Sequence, residues 1–153
     1  MLARLKALFD TALTNNETVN QPSTQEQVQM ASAILLLEVA RTDHNLSPEE
    51  LREIRSVIKS KFDLSEPATQ ALMDDADAEI EQVIDFHQFT SLLNKHFSIE
   101  KKCLLIEYMW QIALSDGHLD GYEDQFIRKI GDLLYLRHAE LLSARERAKI
   151  NLQ

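Results

Sequence analysis

The sequence predicts an all-α protein: a single helical bundle of seven or eight helices built from two related helix-loop-helix repeats. Turn-forming residues are scarce, with three Gly and three Pro among 153 residues, whereas strong helix formers such as Leu, Ala, Glu and Gln are abundant. No segment shows the alternating apolar pattern that is typical of strands. The length suits one domain with a sizeable hydrophobic core.

The N-terminal segment is predicted to lie outside the main body of the domain. Residues 1–14 are predicted to form a short amphipathic helix with Leu5 and Phe9 on its apolar face, and residues 15–25 are predicted to be a polar linker. We expect the helix to dock on its own domain, on a protein partner, or peripherally on a membrane surface. The all-helical domain then spans residues 26–153.

Four helices are predicted in the first part of this domain. The first carries a broad apolar stripe and ends near Thr42. The next three each begin at a residue that is favoured as an N-cap, namely Ser47, Ser65 and Asp85. Pro48 follows Ser47 at the first helical position, which strengthens the start signal of the second helix.

Three further helices complete the predicted bundle. Ser98 caps the first of them, and Asp120 takes the capping position of the second. The last helix runs over about residues 138–150 and ends in a basic face, which suits a helix C-terminus. The helix after Ser98 is expected to turn the following residues inward: Cys103, Leu104, Tyr108, Trp110 and Ile112.

One signature occurs twice in the chain, at a constant offset of 73 residues. Residues 39–50 reappear as residues 112–123, with Ala, Asp, Leu and Glu in the same order. A repeated signature predicts two copies of one supersecondary unit within the domain. Each copy places an acidic loop between two helices, so any chemistry of the protein is expected at these loops.

The acidic loops have two interpretations. Glu50 and Glu123 follow the capping positions by three residues, which is the spacing of a capping box, so each loop can be purely structural. Alternatively, one or both loops bind a divalent cation. The candidate metal ligands are Asp116, Asp120, Glu123, His118, Asp43 and Glu50. Calcium or magnesium suits the oxygen ligands, and the imidazole admits zinc or manganese. A standard EF-hand is excluded, because Ile127 stands where the bidentate glutamate is required.

Charge and cysteine content restrict the class of protein. The net charge is −9, from 25 acidic and 16 basic residues, which argues against nucleic acid as a partner. A lone cysteine, Cys103, cannot form an internal disulfide and fits a reducing compartment. No apolar run is long enough to span a bilayer, and the N-terminus lacks the features of a signal peptide. The expected location is the cytoplasm.

The remaining polar clusters are expected to lie on the surface. The acidic run Asp74, Asp75, Asp77, Glu79 and Glu81 is predicted to be a solvated helix face. His87 and His96 fall on roughly the same face of a helix, but no further ligand completes a tetrahedral metal set. The chain contains neither a Gly-rich phosphate loop nor a nucleophile elbow, so no enzymatic reaction is predicted.

The two loops resemble those of the TerB family, the tellurite-resistance protein B and its relatives. The resemblance extends from about residue 25 to the C-terminus. It rests on Ala40-x-x-Asp43-x-x-Leu46-Ser47-x-x-Glu50 and Ala113-x-x-Asp116-Gly117-x-Leu119-Asp120-x-x-Glu123. It implies a compact helical bundle, an acidic surface able to bind metal, and a role in stress or metal resistance through other proteins. The first loop departs from the family pattern, since His44 replaces the usual Gly.

Together these features predict a non-enzymatic, TerB-like module that binds a protein partner and, weakly, a divalent cation. One alternative is a purely structural adaptor without metal. The other, from a different class, is a metal-dependent hydrolase. A concave pocket that joins a metal to a second polar group would favour the hydrolase.

Overall fold

The computed structural model describes residues 23–41, 47–83, 85–115, 117 and 121–152. Within these ranges the chain forms seven α-helices and no strand, which confirms the all-α class. No helix in the described ranges is long and apolar enough to cross a membrane. The predicted N-terminal helix and most of the linker lie outside the described residues. The helices are α1 (Thr24–Arg41), α2 (Pro48–Lys61), α3 (Glu66–Ile80), α4 (His87–His96), α5 (Ile99–Leu114), α6 (Gly121–Leu133) and α7 (His138–Asn151).

Serine side chains cap three of these helices, as the sequence predicts, whereas the N-cap residue of α4 is Phe86 and not the predicted Asp85. The hydroxyls of Ser47, Ser65 and Ser98 each accept a hydrogen bond from the amide three residues later, at 3.1, 3.2 and 3.3 Å. The carboxylate of Asp85 accepts from the His87 amide at 2.9 Å at the start of α4. Each cap satisfies an amide that has no partner within its own helix.

Helices α2 and α6 end in the same way. Asp63 and Tyr135 adopt positive φ angles of 53° and 62°. The following amides, of Leu64 and Leu136, donate to the carbonyl five residues earlier, at 3.0 Å in both cases. This is the Schellman pattern, which satisfies carbonyl groups at a helix C-terminus.

Side chains from two neighbouring helices donate hydrogen bonds to carbonyl groups at the C-terminal end of α6. Asn94 Nδ2 on α4 donates to the Leu133 carbonyl at 2.9 Å, and Lys102 Nζ on α5 donates to the Leu134 carbonyl at 3.2 Å. Lys102 is only 8% exposed. The dipole of α6 favours a cation at this end, so the buried ammonium is compensated there.

Helices α1 and α5 form the centre of the bundle. Residues 30–37 of α1 are all buried, and α1 packs against every helix from α2 to α6. Helix α5 packs against α1, α2, α6 and α7. Trp110 on α5 is 0% exposed, which confirms its predicted place in the core. The prediction was wrong for Leu104, which is 41% exposed because it lines an open cavity instead of packing under a neighbouring helix.

The acidic run of α3 is also partly different from the prediction. Asp75 and Glu79 are only 5% and 2% exposed, whereas the other three acidic residues of the run are exposed. Their spacing of four residues places both on the core-facing side of α3, beside Ala76 and Ile80. Burial raises the pKa of the Glu79 carboxyl, because it disfavours the charged form.

Candidate functional site

The structure describes two of the six predicted metal ligands, Glu50 and Glu123. The other four lie outside the described residues: Asp43, Asp116, His118 and Asp120. Among the residues that are described, no group of three or more His, Cys, Asp or Glu side chains is arranged to hold a metal ion. The cation site at the loops therefore stays a prediction, and its described part consists of the two glutamates.

Glu50 and Glu123 occupy the same position in their respective helices. Each is the third residue of its helix, α2 or α6, on the first turn after an acidic loop. They are 0% and 1% exposed. Glutamate is almost never fully buried without compensation by a partner charge or hydrogen bonds. Complete burial at both positions therefore indicates that these carboxylates have a defined role.

The packing of α2 and α6 explains why the two glutamates point inward. Ile54 and Ile127 follow them by four residues and are both 0% exposed. Side chains four residues apart lie on the same face of a helix, so each glutamate extends the buried apolar face towards its loop. The carboxylates thus lie at the N-terminal edge of the buried face of each helix.

Ser47, the residue that caps α2, has a structural role. Ser47 Oγ accepts a hydrogen bond from the Glu50 amide at 3.1 Å, which is the first bond of the predicted capping box. The positive end of the helix dipole also favours a carboxylate on this turn. In the second copy the capping position, Asp120, lies outside the described residues.

The helix boundaries of the two halves follow the spacing of the repeated signature. Arg41 ends α1 and Leu114 ends α5, 73 residues later; Pro48 begins α2 and Gly121 begins α6 at the same offset. The left-handed residues that end α2 and α6 are 72 residues apart. These spacings suit two related helix-loop-helix units, and the internal repeat itself remains a prediction.

Two exposed apolar side chains lie beside the buried glutamates. Tyr122 immediately precedes Glu123 and is 67% exposed, and Leu51 immediately follows Glu50 and is 36% exposed. Tyrosine is enriched at the centres of protein interfaces, whereas leucine is not. Of the two side chains, Tyr122 is therefore the one whose type is typical of an interface.

The two histidines considered at the sequence level do not form a site. His87 and His96 lie at opposite ends of α4 and are both exposed. His87 Nδ1 is 3.3 Å from the Ser91 hydroxyl on the same helix. Neither belongs to a possible metal cluster in the described ranges.

Sequence reasoning missed a buried carboxylate that joins α5 to α7. Glu107 is 6% exposed and accepts hydrogen bonds from Arg147 Nε at 3.2 Å and Asn151 Nδ2 at 2.8 Å. Because hydrogen bonds to charged groups are among the stronger ones, Glu107 stabilises the docking of the last helix. In the sequence, the only feature that marks Glu107 is its position as a charged residue within the apolar stripe of α5.

Comparison with known proteins identifies the family. The family model described as tellurite resistance protein TerB matches residues 29–146. This range includes α2 to α6 entirely, both acidic loops and both buried glutamates. Searches of curated proteins and of solved structures returned no match. The resemblance expected from the duplicated loops is thereby confirmed: the chain belongs to the TerB family.

Proposed function

We propose that this chain is a non-enzymatic interaction module whose acidic loops bind a divalent cation and whose adjoining surface binds a protein. The observation that carries the proposal is the full burial of Glu50 and Glu123 at equivalent positions beside the two loops. A role in resistance to metal-related stress is the process that the family description suggests.

The charge density of the second loop supports a cation rather than capping alone. Asp116, Asp120, Glu123 and Asp124 occur within nine residues. Asp124 forms an ion pair with Arg128 at 2.9 Å. Like charges this close in sequence repel one another, and a divalent cation bound at the loop would reduce that repulsion.

The overall charge of the chain favours the same partners. A protein with a net charge of −9 attracts cations and basic protein surfaces over long range. Tyr122 and Leu51 supply the apolar contacts that such an electrostatic encounter lacks. We therefore place the protein-binding surface around the starts of α2 and α6.

Calorimetry and thermal-shift measurements with calcium, magnesium, manganese and zinc test the cation site. We expect at least one ion to bind the full-length chain, and Glu123→Gln to weaken its binding about tenfold or more by removing a charged ligand. Glu146→Gln is the matched control, because Glu146 is an exposed glutamate of α7 paired with Lys149. If none of the four ions gives heat or a thermal shift at millimolar concentration, the glutamates act only in capping their helices.

The protein-binding surface is tested with a pair of tyrosine variants. Tyr122 lies at the start of α6, and Tyr135, which is 78% exposed, follows its end. Tyr122→Asn should abolish capture of a partner from cell extract, whereas Tyr135→Asn should leave it unchanged. Equal capture by the two variants would place the interaction surface elsewhere on the molecule.

A further inference from the structure

A cavity of about 410 Å³ opens between α1, α2 and α5. It lies along α1 from Gln25 to Leu36 and at the C-terminal end of α2. Its volume is in the range of small-molecule binding sites. The walls are mainly apolar and include Val28, Leu36, Val57, Phe62, Phe97 and Leu105.

Two buried hydroxyl groups line this apolar cavity. Ser32 is 1% exposed and Tyr108 is 8% exposed. Neither Ser32 Oγ nor Tyr108 Oη has a hydrogen-bond partner in the part of the chain that the structure describes. A buried hydroxyl without a partner is unfavourable. A ligand with an acceptor atom would satisfy these donors.

The charged residues at the rim favour an anion. Lys61, Lys101 and Asp63 are the charged residues that line the cavity, so lysine outnumbers aspartate there. Neither lysine forms an ion pair with any described carboxylate. Lys61 Nζ instead lies 5.3 Å from the centre of the Tyr108 ring. The protein has a net charge of −9, but the charged residues at this rim carry a net positive charge.

We propose that the cavity binds an amphiphilic monoanion, specifically an acyl-chain carboxylate. The acyl chain of the ligand lies against the apolar walls, and its carboxylate contacts the ammonium groups of Lys61 and Lys101. The same carboxylate accepts hydrogen bonds from the hydroxyls of Ser32 and Tyr108, because the alkyl chain has no acceptor atom. A polyanion such as a nucleotide suits the site poorly, because the walls are apolar and Asp63 offsets one of the two lysines.

Binding of matched ligands to the full-length chain tests this assignment. Titration calorimetry with octanoate, decanoate and dodecanoate, each below its micelle concentration, should give one site. Affinity should rise about fourfold for each added CH₂ group until the cavity is filled. Decanol and decyltrimethylammonium carry the same chain with no charge or a positive charge. Both should bind at least about tenfold more weakly than decanoate.

Substitutions separate the head-group contacts from the apolar walls. Lys61→Gln combined with Lys101→Gln should weaken decanoate binding about tenfold or more and leave decanol binding unchanged. Lys95→Gln combined with Lys129→Gln is the control, because these exposed lysines lie on α4 and α6. Val28→Trp should fill the cavity and abolish binding of both ligands, with thermal unfolding used to verify that this variant is folded.

Three results would overturn the proposal. In the first, decanoate binds no more tightly than decanol; in the second, its affinity survives a folded Val28→Trp variant. In the third, the cavity is occupied by the chain's own amphipathic segment, residues 1–14. Leu5→Asp combined with Phe9→Asp, in the full-length chain, tests that occupant. Decanoate binding that is absent from the wild type and gained in this variant would assign the cavity to the N-terminal segment.

Discussion

Gly131 on α6 leaves room for the Leu141 side chain of α7, and adding a single methyl group there is expected to destabilise the fold. A Cβ atom at this position would lie 2.5 Å from Leu141 Cδ2 and 3.0 Å from Leu141 Cδ1 and Cγ. Gly131 is buried and Leu141 is 3% exposed. The Leu141 side chain must therefore move as a whole to accommodate alanine.

Two opposing effects determine the stability of Gly131→Ala. Alanine is favoured over glycine in a helix interior by about 1 kcal/mol. Overpacking a buried site costs about 1–3 kcal/mol. Because Leu141 is enclosed, we expect the packing cost to exceed the helix-propensity gain. The net loss in the free energy of unfolding should be about 1 kcal/mol, equivalent to a decrease in Tm of about 2–4 °C.

Urea unfolding followed by far-UV circular dichroism measures this difference. Gly121→Ala is the matched control at the start of α6, because no atom of the described residues lies within 4 Å of a Cβ at that position; it should be neutral or slightly stabilising. In a Leu141→Ala background the methyl group has room, and Gly131→Ala should become stabilising, which gives a coupling energy of about 2 kcal/mol. A Gly131→Ala variant at least as stable as the wild type would refute the packing argument.

The remaining predictions concern polar side chains, and chemical unfolding tests each of them. Glu107→Ala should lower the free energy of unfolding by about 2 kcal/mol, because its carboxylate joins α5 to α7. Arg147→Ala should cost less, because Arg147 is about half exposed; equal costs would contradict this account. Ser47→Ala should cost about 1 kcal/mol by removing the cap of α2, and an unchanged stability would show that the cap is dispensable. Burial raises the pKa of the Glu79 carboxyl above its ordinary value of 4.5. The protonated form therefore favours folding below the ordinary pKa, and this contribution is lost as pH rises through the folded pKa. Glu79→Gln should accordingly stabilise the chain at neutral pH but not at acid pH, whereas the exposed control Glu81→Gln should show no such difference.

Local sequence was sufficient to predict where most helices begin. The caps at Ser47, Ser65 and Ser98 each join a side chain to an amide three residues away. Such contacts depend on a few neighbouring residues, and the pattern of residue types specifies them. The all-α class follows from the same kind of local preference, summed over long apolar-periodic segments.

The candidate site could be predicted only in part. The duplicated signature predicted that Glu50 and Glu123 are counterparts in two repeats. It also indicated the TerB family, and the match to residues 29–146 confirms that family. The full burial of both glutamates could not be read from the signature, since a capping-box glutamate is equally compatible with an exposed position. Burial depends on how α2 and α6 pack against the rest of the bundle.

Residue pattern alone thus determined the helical class, the helix starts and the position of the acidic loops, because each depends on interactions along a short stretch of chain. Tertiary packing alone decided which polar groups are enclosed. It buried Asp75 and Glu79, left Leu104 exposed, and formed the cavity that contains Ser32 and Tyr108. The physical reason is that the exposure of a side chain is set by helices distant in sequence, and helical periodicity does not specify which faces those helices cover.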